Sequence, residues 1–145
     1  MKLIEQHIRS FNLPEEAIAW LSGLWDVIQG MDDWVDGDEV SKRDKELVIY
    51  KALVLLPSNT FYINYAQYLA PVVSNMVLKW VGANHLEDLG KISPRSFMWR
   101  AAYYDLILEV IRVVHGVEKA MEVASYVASM YGEDYNDYLK EFEHA

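Results

Sequence analysis

The chain has 145 residues and no cysteine, which excludes disulfides, thiolate metal sites and cysteine nucleophiles and fits a reducing cytoplasm. Because 22 acidic residues oppose 13 basic ones, the formal charge is −9, and such a chain repels the phosphate backbone of nucleic acids. We therefore expect a cytoplasmic protein that binds no nucleic acid.

The apolar residues recur at intervals of three and four, without the alternation typical of strands, so we predict an all-α fold. Helices are predicted at about 2–10, 14–36, 41–56, 60–82, 95–115 and 117–131, with a short acidic helix from about 133. The most apolar stretch, residues 61–81, contains polar side chains and a lysine, so we expect no membrane span. With no repeat and no linker, the pattern predicts one compact domain of about six helices over residues 1–145.

Residues with special backbone preferences mark the predicted helix ends. Gly37 ends the second helix, and Ser41 begins the third as its N-cap, with Asp44 at capping-box spacing. Pro57 ends that third helix. Pro71 lies inside the long apolar segment and is expected to kink or divide it, because proline removes one backbone hydrogen bond.

The stretch DDWVDGD, residues 32–38, crowds aspartates at the predicted end of the second helix. Asp32, Asp33 and Asp36 converge on one face within one turn, where like charges repel. A bound cation would relieve this repulsion, and hard oxygen ligands of this kind suit Mg²⁺, Mn²⁺ or Ca²⁺. The alternative is that the acids form only the solvated face of an amphipathic helix that leads into a turn.

Three further polar residues are candidates for the same site. Asn84 and Asp88, four residues apart, would add oxygen ligands to a metal if their segment faced residues 32–36, although helix capping and a solvated loop also explain them. Arg100 shares a helical face with apolar residues and therefore needs a carboxylate or a phosphate partner. It is either a structural ion pair, with Asp32 as one candidate partner, or a clamp for a substrate phosphate.

The segment DDWVD, Asp32 to Asp36, resembles the DDxxD motif of class I isoprenoid synthases, and EDYND at residues 133–137 resembles a degenerate second copy. Those proteins are all-α enzymes in which the acids bind Mg²⁺ that clamps a diphosphate. The resemblance implies Mg²⁺ as the cofactor, with Asp32, Asp33 and Asp36 as ligands, and the oxygen ligands themselves also suit Mn²⁺. It is an analogy of chemistry, since those enzymes have far longer chains.

A broader resemblance extends over about residues 20–115 of the chain. The succession of LWDVIQGMDDWVDGD, LPSNTFYINYAQYLAPV, KWVGANHLED and RAAYYDLILEV is similar to small, uncharacterised all-helical proteins of tailed bacteriophages. The similarity implies a phage or prophage origin and action in a bacterial cytoplasm or in a virion.

Two functions from different classes follow from these patterns. We favour a small acidic interaction or accessory protein with a protein partner, because no complete catalytic constellation is present. The alternative is a Mg²⁺- or Mn²⁺-dependent enzyme that acts on a phosphate or diphosphate substrate. A homodimer is also predicted, because Ala120, Ala124 and Ala128 form a smooth helical face, although that face also fits packing inside the monomer.

The metal hypothesis predicts that a divalent ion stabilises the folded chain. At a hundred times its dissociation constant, a bound ion adds ~2.7 kcal/mol to the free energy of unfolding, so Mg²⁺, Mn²⁺ or Ca²⁺ should raise Tm. A variant that combines Asp33→Asn with Asp36→Asn should not respond to the ion. An unchanged Tm of the parent chain with all three ions would remove the hypothesis.

Overall fold

The computed structural model describes residues 2–143, and within that range the backbone forms helices and connecting turns without a strand. The predicted all-α fold is therefore confirmed. The helices, in chain order, are α1 (Leu3–Arg9), α2 (Glu15–Val35), α3 (Lys42–Tyr50), α4 (Leu56–Ser58), α5 (Thr60–Asp88), α6 (Pro94–Trp99), α7 (Tyr103–His115), α8 (Val117–Ser129) and α9 (Tyr135–Lys140). A π-helical turn, Lys51–Leu55, joins α3 to α4.

Two of the predicted helices differ from the structure. The segment predicted as one helix at 95–115 is divided into α6 and α7 by a turn at residues 100–102. Helix α5 passes through Pro71, and its non-helical residue is Tyr65 (φ −122°, ψ 17°), six positions earlier. The expected kink is present, but it lies six residues on the N-terminal side of the proline, outside the turn that the ring crowds.

The chain divides into two compact units, of which the first ends at Ala66 and the second begins at Gln67. The boundary lies inside α5, beside the kink at Tyr65. That the chain acts as a single domain stays a prediction.

In the first unit, α1 packs against α2. Ile8, Ala17 and Leu21 are completely buried. Trp20 of α2 stacks on Tyr62 at the start of α5, with ring centroids 5.3 Å apart. These contacts remove one face of α2 from water, which is the main source of stability for a short helical unit.

Helix α2 and the segment from α3 to α4 run in opposite directions, and we call this pair the helical hairpin (residues 15–58). Gly37 permits the reversal, because its φ of +81° lies in the left-handed region that favours glycine. The Ser41 hydroxyl then accepts a hydrogen bond from the N–H of Asp44 at 3.1 Å, which confirms the predicted start of α3.

Two glycines of α2 allow the hairpin to close tightly. A Cβ atom on Gly30 would lie 2.5 Å from Cγ2 of Val48, so only glycine lets α3 approach the backbone of α2 at this point. A Cβ atom on Gly23, two turns earlier, would lie 3.2 Å from the end of the Leu56 side chain. The packing is therefore tightest where Val48 is buried.

The π-helical turn keeps the segment in register with α2. The N–H of Leu56 bonds to the carbonyl of Lys51, five residues earlier, so the turn holds one residue more than an α-helical turn. Lys51 reaches Asp26 of α2 at 3.3 Å, and Leu56 faces α2 again at Gly23. Without the extra residue, these two side chains would not both face α2.

In the second unit, α7 supplies the centre of the core and α8 packs beside it. The residues of α7 that are wholly inaccessible to solvent recur at intervals of one, three and four positions, as expected for one helical stripe: Leu106, Ile107, Val110 and Ile111.

We expect Gly30→Ala to destabilise the chain, although alanine is the better helix former. Propensity alone favours alanine by about 1 kcal/mol, whereas the added methyl group must displace Val48, and overpacking of this kind costs ~1–3 kcal/mol. Gly23→Ala is the matched control, because its methyl group meets only the flexible end of Leu56.

Urea unfolding of both variants measures the difference. In the Gly30→Ala background, Val48→Ala should recover part of the loss by making room for the methyl group. A Gly30→Ala variant that is as stable as the Gly23→Ala variant would contradict the close approach of the two helices.

Candidate functional site

The predicted aspartate cluster lies at the end of α2, at the tip of the helical hairpin. Asp32 is half-buried, whereas Asp33 and Asp36 are exposed. The N–H of Asp38 bonds to the carbonyl of Asp33 at 3.0 Å and closes the helix end. Because this is the negative end of the helix, and the last turn of α2 holds no basic residue, the carboxylates lie in an unfavourable field.

A basic side chain from α3 lies beside this tip. The ammonium of Lys45 is 5.2 Å from the ring centroid of Trp34, a cation–π contact. Across residues 2–143, no group of three or more His, Cys, Asp or Glu side chains is placed to hold a metal ion. The assignment of Asp32, Asp33 and Asp36 as metal ligands therefore stays a prediction from the sequence.

The remaining predicted site residues lie in the second unit, and two of them contact each other. Nη1 of Arg100 donates to Oδ1 of Asn84 at 2.6 Å and lies 3.4 Å from a carboxylate oxygen of Glu87. Asp88 ends α5 and is exposed. The amide oxygen proposed as a metal ligand thus already accepts a hydrogen bond from a guanidinium, and Arg100, in the turn after α6, forms an ion pair with Glu87 of α5.

The ion pair belongs to a larger set of buried polar groups. The side chains of Arg100 and Glu87 are only 16% and 12% exposed, so they need further hydrogen bonds to offset the loss of water. The Tyr138 hydroxyl donates to the second oxygen of Glu87 at 2.7 Å and lies 2.7 Å from Oγ of Ser96. We call Asn84, Glu87, Ser96, Arg100 and Tyr138 the buried polar network.

The tyrosine of this network is held in its neutral form. The pKa of Tyr138 is raised to about 12, chiefly because burial disfavours the phenolate. The hydrogen bond with Ser96 lowers this pKa, whereas the hydrogen bond with Glu87 and the charge of Glu87 raise it. The phenol therefore remains a hydrogen-bond donor to the carboxylate at physiological pH.

Aromatic rings cover the network. Phe97 of α6 lies next to three tyrosines, Tyr131, Tyr135 and Tyr138, with ring centroids 5.1, 5.3 and 5.2 Å away. Phe142 approaches Tyr138 edge-on at 5.2 Å. Such tilted and edge-on pairs add to the burial energy, so the rings and the network together fasten α9 to α6.

The network has the properties of a structural support. Over the part of the chain that the structure describes, no buried side-chain nitrogen or oxygen lacks a hydrogen-bond partner. Glu87, Ser96 and Tyr138 were not predicted as site residues. The spacing of Asn84 and Glu87, three residues apart on one helical face, gave a local indication for one of them. Tyr138 is distant in sequence, and no local pattern connects it to the others.

The exposed side of the segment from α3 to α4 is apolar, and we call it the outer face: Leu47, Ile49, Tyr50, Leu53, Val54 and Leu55. Each of these side chains is at least 41% exposed, and Leu53 is 73% exposed. Val48 points the other way, towards Gly30. A helix that is apolar on all sides is normally covered on all sides, and here one side is open.

The outer face is large for a protein of this length. Its six side chains expose on the order of 600 Å² together, which is the upper end of what a monomer shows in one apolar patch. Three more apolar side chains at the end of α2 are 39–59% exposed, namely Met31, Trp34 and Val35. Surfaces of this extent mark sites of interaction.

The alanine face predicted for dimerisation is partly inside the second unit. Ala120 is buried and Ala124 is half-buried, whereas Ala128 is exposed. Because α8 packs beside α7, the first half of this face contributes to packing within the unit. Packing inside the monomer was the alternative to dimerisation in the sequence analysis.

We expect Tyr138→Phe to lower the free energy of unfolding by about 1–3 kcal/mol, because a little-exposed carboxylate loses one donor. The difference from the parent should depend on pH. Folding raises the pKa of Tyr138 from its ordinary value of 10.0 to about 12. The contribution of Tyr138 to the free energy of unfolding is therefore fully present below pH 10 and is lost as the pH rises to 12.

Urea unfolding at several pH values tests both statements. The gap in stability between parent and Tyr138→Phe should narrow from pH 10 to pH 12, and a gap that widens would contradict the neutral, donating phenol. Tyr68→Phe, at an exposed tyrosine of the second unit, is the control and should change stability by less than about 0.5 kcal/mol.

Comparison with known proteins and structures indicates no function for the chain. No family model, curated protein or solved structure matches the chain. Within residues 2–143, no helix is both long enough and apolar enough to cross a membrane. The outer face and the buried polar network are the features from which a function can be argued.

Proposed function

We propose that the protein is a small acidic interaction or accessory protein that binds a protein partner through the outer face. On the resemblance noted in the sequence, the same proposal takes the chain to be phage-encoded and to act in the cytoplasm of a bacterial host. No catalytic step is part of it.

The exposure of the outer face is the observation that carries the proposal. Leu53 and Tyr50 are 73% and 54% exposed, although both are large and apolar or aromatic. At about 25 cal/mol per Å², covering the roughly 600 Å² of this face is worth many kcal/mol before the costs of association are subtracted. A rigid helical surface that remains open is the form in which many proteins present a binding site.

The contacts of Arg100 make the enzyme hypothesis weaker than the proposal of an interaction protein. It assigned Arg100 to a substrate phosphate, but the guanidinium of Arg100 contacts Asn84 and Glu87 at 2.6 and 3.4 Å. Binding a phosphate there would require breaking a mostly buried ion pair, which is costly. Without Arg100, only the resemblance of Asp32 to Asp36 to the DDxxD motif supports a catalytic role for the aspartate cluster.

Site-specific photocrosslinking in bacterial cells tests the proposal. A photoreactive phenylalanine analogue replaces Leu53 on the outer face, and in a matched variant it replaces Met121 of α8, which is equally exposed (73% and 74%). We expect covalent protein adducts from position 53 and few from position 121. Addition of Val54→Asp to the first variant should suppress its adducts, because a charge desolvated in an interface is unfavourable.

Equal yields of adducts from the two positions would mean that the outer face binds no better than any exposed surface. Absence of adducts from position 53 would contradict the proposal directly.

A further inference from the structure

We infer that the partner that covers the outer face is a second copy of this chain, paired antiparallel about a twofold axis near Tyr50 and Val54. The inference rests on the proposed function, since it names the partner of the same face. It moves the predicted homodimer from the alanine face of α8 to the segment from α3 to α4.

The area of the outer face fits such a dimer. A standard interface buries roughly 800 Å² on each partner, and the outer face supplies most of this from apolar side chains alone. In a twofold pair the same patch serves both copies, so an apolar, self-complementary surface is what the symmetry requires.

The arrangement of side chains on the helix fits a close helix pair. Tyr50 and Val54 lie four residues apart on one stripe, and Ile49 and Leu53 form a parallel stripe beside it. Ridges of this kind pack into the grooves of a second helix at an interaxial distance of about 8–10 Å. Glu46 is exposed one turn before Tyr50, so the charged part of the segment lies towards its start.

The charge distribution selects the antiparallel arrangement. Aspartates and the exposed Glu39 crowd the tip of the helical hairpin, residues 32–39, so a parallel pair would place two acidic tips side by side. The segment from Lys42 to Ser58 is about 25 Å long, and an antiparallel pair separates the tips by a similar distance. That separation exceeds the Debye length of about 8 Å at physiological salt, so the two acidic tips repel each other only weakly in this arrangement.

Two basic residues of the segment turn away from the outer face. Lys51 turns inward to Asp26, and Lys45 lies over the ring of Trp34. Both ammonium groups are therefore held on the side of α2. The middle of the outer face presents apolar side chains to an approaching copy.

Light scattering coupled to size-exclusion chromatography tests the inference on the full chain. We expect the parent to have about twice the mass of one chain, which is 16.8 kDa. Leu53→Glu should reduce the mass to that of one chain, while Met121→Glu, the matched control of equal exposure, should leave it doubled. Ile49→Lys is a second variant on the same face and should act as Leu53→Glu does.

Circular dichroism of each variant verifies that it is folded, which is expected because the replaced side chains are exposed. A parent that has the mass of one chain, or a Met121→Glu variant that dissociates as Leu53→Glu does, would overturn the inference. The proposed function fails separately: a monomeric parent that still gives crosslinks from position 53 to another protein refutes only the dimer. A parent without adducts from that position refutes both.

Discussion

The contact between Val48 and Gly30 is the constraint on which the first unit depends. Because no side chain stands on Gly30, α3 packs directly on the backbone of α2, and Val48 is buried there. The turn at Gly37 and the cap at Ser41 deliver α3 to this position, and the π-helical turn carries the register on to Leu56. The helical hairpin is thus defined at both ends and in the middle.

The same constraint leaves the outer face open. A segment with apolar residues at most positions cannot bury all of them against a single helix, and the tight approach at Gly30 turns Val48 inward and Tyr50 outward. The π-helical turn sharpens this division, because it returns Leu56 to α2 while Leu53 remains exposed. The packing of α3 on α2 at Gly30 therefore both stabilises the chain and leaves a surface that another chain can cover. A buried polar network has the corresponding structural role in the second unit.

Local chemistry made much of the fold predictable. The Ser41 cap, the stop at Gly37 and the apolar periodicity each act within a few residues, and the structure shows the helices that they indicate. The kink was expected at Pro71, whereas the non-helical residue of α5 is Tyr65, six positions earlier. No sequence rule singles out Tyr65.

The candidate sites were predictable only in part. Arg100 was recognised as a residue that needs a partner, but Glu87 and Tyr138 come to it through tertiary packing across sequence separations that periodicity does not encode. The outer face was not predicted, because an apolar run normally indicates a buried core. Its exposure follows only from the packing of the other side of the segment against α2.

Disulfide formation between single cysteines tests the central claim most directly, since the chain contains no cysteine of its own. Two Cα atoms must come within about 7 Å to form the bond. In the antiparallel pair, Leu53→Cys lies near the twofold axis, whereas Glu46→Cys lies on the same face about 10 Å further along the helix. The account predicts rapid disulfide-linked dimers from Leu53→Cys and few from Glu46→Cys under mild oxidation. Equal linkage of both variants would indicate a parallel pair, and no linkage from Leu53→Cys would contradict the claim that a second copy covers the outer face.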